Sequence, residues 1–260
     1  MAIDYLGCLG RAEEVTNLFE QMVDHIYFAQ GTVETCKYPN YWELPTYQQN
    51  FVPLKACVDM CRILRTEFYI TPEAQILVYE YAADLDGHSM HSKLLEQRGY
   101  FKRAVELVRG GFRLKKDEIS SFCSAFDEEE KQRVNEAIHS HLERCDFSCI
   151  AMSVSAVESR LLKLMCLAHP DSKPKFDKMT FGQLLQEYAN DPRKYSDIVP
   201  AEHTHLLTLS NDYRIFSVHP KGRKITPQVA TAIFNLSLEF LIDNQMRPDS
   251  VKTRLGQSKQ

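Results

Sequence analysis

Arg214 and His219 stand five positions apart in NDYRIFSVHP, and their residue types and spacing suit a proton-moving reaction at a phosphate. Histidine titrates near neutrality and can take or give a proton, whereas a guanidinium stays charged and can grip two phosphate oxygens at once. RNA can be cut without a metal when its 2'-hydroxyl attacks the adjacent phosphate. That chemistry needs one group to move protons and one cation to hold the growing charge. Five residues separate two side chains by about 140° on an ideal helix, so both face one site only if the helix ends between them. Pro220 supplies that ending by pressing His219 toward extended backbone, which leaves Arg214 on the last full turn. Lys221, Arg223 and Lys224 follow directly and could meet an RNA backbone, although three basic residues in a connection also make an ordinary solvated turn. The plainer reading of the pair is structural: Arg214 ties the helix end to an acid such as Glu158, and His219 is a polar C-cap.

Other constellations are weaker. Asp84, Asp86, His88 and His91 collect two acids and two histidines in one short stretch, but their spacing fits no standard metal site and reads as a solvated junction around Gly87. His141, Cys145 and Cys149 share a helical face and lack a fourth ligand nearby. Cys57/Cys61 and Cys145/Cys149 are each spaced by four, which predicts core stripes rather than the CxxC geometry of zinc ribbons and redox sites. Neither a Gly-rich phosphate loop nor a GxSxG elbow occurs. No metal and no cofactor is expected.

The chain that must position these residues has 260 of them, 44% hydrophobic, with eight cysteines and a net charge of -4. This composition predicts a globular protein with a substantial core and reduced thiols, and no general basic field for a polyanion. Any nucleic-acid site must be local. The segment from Ala201 to the end carries eight basic against five acidic residues, +3 within a negative chain. No apolar run is long enough for a membrane span, and the N-terminus lacks the pattern of a signal peptide, so a cytoplasmic protein with no membrane partner is expected.

Apolar residues recur at three- and four-residue intervals almost throughout, which predicts an all-α helical bundle. Helices are expected over 12–29, 47–67, 72–84 and from Gly87 to about Val108, with the only tryptophan, Trp42, fastening a connection over 31–46. Gly110-Gly111 is expected to end the fourth of these, and the charged KKDE after it to mark a boundary between two halves. In the second half, Asp127 suits the N-cap of a helix over 127–144, ahead of Glu128, Glu129 and Glu130. Further helices are expected over 147–167, from Thr180, over 202–217 and from Thr226-Pro227. The organisation expected is a helical region over 1–120, a second helical domain over 121–246 and a frayed polar tail over 247–260.

An Arg-x4-His motif closing one helix before a last long amphipathic one, with an acid (Glu158) embedded in an upstream apolar helix, resembles the HEPN superfamily over about half the chain. The resemblance implies a helical domain that pairs as a homodimer, so that two motifs line one cleft. It also implies metal-independent endoribonuclease activity in defence, toxin-antitoxin or RNA-processing systems. By position, Arg214 and His219 would carry cleavage and Glu158, Asn211 and Ser217 would support them. RNA would be the substrate, and the first 120 residues could bind a protein regulator. Nuclease members commonly have a polar residue directly after the arginine, where this chain has Ile215. Noncatalytic RNA or nucleotide binding, or a dimerising scaffold, is the alternative.

Overall fold

The computed structural model describes residues 3–31, 45–64, 98–191, 195, 198–199, 201–218 and 225–257. Among them the chain is all-α, with twelve α-helices, two short 3-10 turns and no strand. It divides into two compact units, Met1–Cys123 and Ser124–Gln260. The expected helix over 72–84, the first part (87–97) of the one expected from Gly87 to about Val108, Trp42, and the stretch 84–91 lie outside the described residues.

The first unit contains α1 (Tyr5–Gly10), α2 (Ala12–Gly31), α3 (Pro45–Ile63), α4 (Arg98–Leu114) and α5 (Lys116–Cys123). Asp4 caps α1 by accepting from the Gly7 N–H at 2.9 Å. Helix α1 packs against α3 and α5, and α2 against α3 and α4. Val105, Val108 and Phe112 form the buried stripe of α4, while Arg109 and Arg113 reach Glu20 and Glu13 of α2 from its flank. That two-sided hold corrects the expected break. Helix α4 continues through Gly110-Gly111 to Leu114, and after the single turn residue Lys115 the KDE that follows begins α5 rather than a linker, because packing outweighs the roughly 1 kcal/mol helix cost of each glycine.

The second unit contains α6 (Glu128–Leu142), α7 (Asp146–Ala168), α8 (Lys173–Phe176), α9 (Phe181–Asn190), α10 (Ala201–Val218), α11 (Pro227–Ile242) and α12 (Pro248–Gln257). Helix α6 opens with a full capping box: Asp127 accepts from the Glu129 and Glu130 N–H groups, and the Glu130 carboxylate accepts from the Asp127 N–H. It ends in a Schellman turn, with the Cys145 N–H donating to the Ser140 carbonyl at 2.8 Å. Arg144 occupies the left-handed position there, φ 57°, where glycine is usual. The reversal lays α7 back against α6. It also removes the expected shared face of His141, Cys145 and Cys149: Cys145 precedes α7 and is exposed, whereas Cys149 is buried.

Helix α7 is the centre of the unit and packs against α6, α10, α11 and α12. Its core positions include Ile150, Val154, Val157, Leu161 and Leu164, all fully buried. One core position is charged. Arg160 is 0% exposed, and all five N–H donors of its guanidinium are used. Nε and Nη2 grip the two oxygens of Glu130 at 2.8 and 2.6 Å; Nη1 donates to the Leu241 and Met246 carbonyls, and Nη2 also to that of Ala125. One side chain thereby joins the start of α6, the end of α11 and the turn that follows it. The tail expected to fray is instead helical over Pro248–Gln257, with Val251 fully buried.

Candidate functional site

Arg214 lies on the last turns of α10, four residues before its end at Val218. The stretch from Asn211 to Val218 is therefore helix, with the motif's arginine on the final full turn. Helix α10 is held along its length. Tyr188 of α9 donates to the Val199 carbonyl and meets the Thr204 hydroxyl at 3.2 Å. His203 pairs with Asp243 beyond α11 at 2.7 Å, its ring edge-on to Phe240. Leu207 and Ser210 face inward and are fully buried. Arg214 continues that inward side at the rim, where it is 33% exposed, and its Nη2 lies 3.0 Å from Oε2 of Glu158, which is 21% exposed.

The acid is fixed more firmly than the base. Glu158 projects from α7 between the buried Val157 and the buried pair Ser159 and Arg160, on a helix that carries the core of the unit. Carboxylate and guanidinium approach as an ion pair, but among the described residues no aligned hydrogen bond engages any donor of Arg214. The contrast with Arg160 decides what each can do. Arg160 has spent every donor on protein acceptors and is closed to a ligand. Arg214 meets Glu158 through Nη2 alone, and among the described residues its other donors have no partner, the condition for receiving an anion from solvent.

The supporting residues divide. Asn211 is one turn before Arg214 and packs on α9: its amide nitrogen is 3.4 Å from where a Cβ on Gly182 would stand. The Ser217 hydroxyl donates to the Arg214 carbonyl at 2.8 Å, so it stabilises the end of α10 and is turned into the backbone. Ile215, directly after the arginine, is 37% exposed. His219, Lys221, Arg223 and Lys224 lie outside the described residues.

Among the described residues the histidines and thiols elsewhere do not assemble a second centre. His141 stacks on Phe234 with centroids 4.9 Å apart, and burial lowers its pKa. The Cys57 thiol donates to the Cys8 carbonyl at 3.2 Å. Burial pushes Cys61 and Cys149 up to about 12, so neither is a nucleophile near neutral pH. Among the described residues no three His, Cys, Asp or Glu side chains gather closely enough to hold a metal ion, and no helix is long and apolar enough to cross a membrane.

Sequence reasoning brought out Glu158 and Arg214 and missed Arg160 with its partner Glu130. The signal was present, since Arg160 falls on the core stripe Val157, Leu161, Leu164, where a charge demands a buried counter-charge. No family model, curated protein or solved structure matches this chain.

Proposed function

We propose that the second unit acts on RNA as a HEPN-like, metal-independent endoribonuclease, with Arg214 stabilising the charge on the reacting phosphate and His219 moving protons to and from the sugar hydroxyls. Two copies of the chain would pair to place their motifs in one cleft. The observation that carries the reading is the state of Arg214: a half-buried guanidinium on the final turn of α10, tethered through Nη2 to Glu158 and, among the described residues, paired with nothing else. A guanidinium so placed can receive phosphate oxygens on the donors that Glu158 leaves free. The basic run Lys221, Arg223 and Lys224 follows the motif in sequence and supplies cationic groups for neighbouring phosphates.

The test is cleavage of a mixed RNA pool by purified protein in excess EDTA. The expected outcome is cutting that leaves 2',3'-cyclic phosphate ends. Arg214→Ala and His219→Ala should each lower its rate about a hundredfold or more, with helical content unchanged. Absence of cutting across several pH and salt conditions defeats the catalytic reading.

A second reading is noncatalytic RNA binding, and Ile215 favours it. An exposed isoleucine beside the arginine supplies no polar partner to a reacting phosphate, and it offers an apolar contact to a base or to a second copy. On that reading wild type holds RNA without cutting it, and Arg214→Ala releases it.

A further inference from the structure

Glu158 does more at this site than orient a cation. A carboxylate 3.0 Å from the arginine nitrogen places a fixed negative charge beside the spot where a bound phosphate must sit. The acid cannot easily withdraw, because it stands on α7 between residues of the buried core. Among the described residues Arg214 is also its one ionic partner. A phosphate drawn to Arg214 is therefore repelled by Glu158 in proportion to its own charge. An internal phosphodiester carries a single negative charge, whereas a terminal phosphomonoester carries nearly two at neutral pH. The attraction of Arg214 and the repulsion of Glu158 both scale with that charge and largely offset, so the second charge of a monoester brings little gain. It does bring a larger desolvation cost at a half-buried rim.

We infer that Glu158 is a specificity-determining residue that makes this site select internal phosphodiesters and reject terminal phosphates and free mononucleotides. The inference rests on the RNA reading above and adds which phosphates of an RNA the site accepts.

The experiment is a comparison of binding by two non-cleavable probes on the full chain. One is the 2'-O-methyl dinucleotide UpU, a monoanion; the other is 2'-O-methyluridine 3'-monophosphate, a dianion at pH 7.5. Titration calorimetry is run on wild type, Glu158→Gln and Arg214→Ala. Wild type should prefer the dinucleotide. Glu158→Gln, which keeps the shape and removes the charge, should strengthen the monophosphate about threefold to tenfold more than the dinucleotide. Equal strengthening of both probes, or none, overturns the inference and leaves the endoribonuclease reading standing. Binding of neither probe, or binding that Arg214→Ala does not weaken, overturns both. Should the glutamine variant lose its fold, wild type alone decides. Raising salt to about 1 M shortens the screening length to roughly 3 Å and should narrow the preference, and a preference indifferent to salt overturns the electrostatic origin.

Discussion

Two arginines, Arg160 and Arg214, carry the same charge on neighbouring helices and have opposite roles, and the difference lies in how their donors are used. Arg160 is wholly buried and saturated by Glu130 and three carbonyls. Replacing it with methionine leaves the buried Glu130 with only the Lys163 ammonium, 3.6 Å away and without a hydrogen bond, and losing the near partner of a buried pair costs about 3–5 kcal/mol. Arg214 is one-third exposed and holds a single ion pair, a kind of contact worth about 0–1 kcal/mol once solvent screening is counted. Urea unfolding of Arg160→Met and Arg214→Ala should therefore show a large shift in midpoint for the first and a small one for the second. A large loss in Arg214→Ala would make its role structural. The pairing of Arg214 with Glu158 was legible in the sequence because both stand at the rim of apolar helical stripes. Glu130 was missed because, in the run Glu128-Glu129-Glu130, it reads as one more acid suited to the first turn of its own helix.

At the scale of elements, caps were the most legible feature and glycines the least. Asp127, Thr180 and Thr226 all act as N-caps where their residue types placed them, because a capping side chain bonds only to its own first turn and no distant packing can override it. The Gly110-Gly111 pair misleads for the opposite reason, since whether it breaks a helix depends on what α2 offers across the interface. Asp127 permits a pH test with a defined sign. Partial burial acts to raise its pKa, but the Lys163 ammonium and the Glu130 and Glu129 N–H groups outweigh it and hold the carboxyl below its ordinary value. A depressed folded pKa means that the stabilisation is complete above about pH 4 and is lost as pH falls through the lower folded value. Asp127→Ala should cost about 1 kcal/mol at pH 7. Melting curves taken from pH 7 down to pH 3 should show that cost shrinking with acid. Asp127→Asn, which keeps an acceptor and cannot be protonated, should differ from Asp127→Ala by an amount that does not change with pH. A cost in Asp127→Ala that stays constant to pH 3 would show that the charge contributes nothing.

On the scale of the whole molecule, helical period alone gave the fold class. The C-terminal segment is where composition misleads. Residues from Arg247 onward look polar and dispensable, yet Val251 is fully buried, α12 lies against α7, and Arg254 donates to the Gln245 carbonyl at 2.8 Å. One apolar residue per turn or two is too sparse to register as a stripe, but it suffices where the rest of the surface is already closed. The arrangement makes a prediction about what can fold alone. Among the described residues, the acceptors of Arg160, the capping box of α6 and the helices α6, α10, α11 and α12 that pack on α7 all lie within Ser124–Gln260. A fragment of residues 124–260 should therefore unfold in urea in one cooperative transition. A fragment of residues 124–246 keeps the acceptors of Arg160 but loses α12, and uncovering the surface under Val251 should lower its midpoint by about 2–3 kcal/mol, the value of one buried aliphatic side chain with its contacts. Equal midpoints would mean that α12 rests on the unit without stabilising it. A 124–260 fragment with no cooperative transition would mean that the second unit depends on the first, and the candidate site would then have to be studied in the full chain.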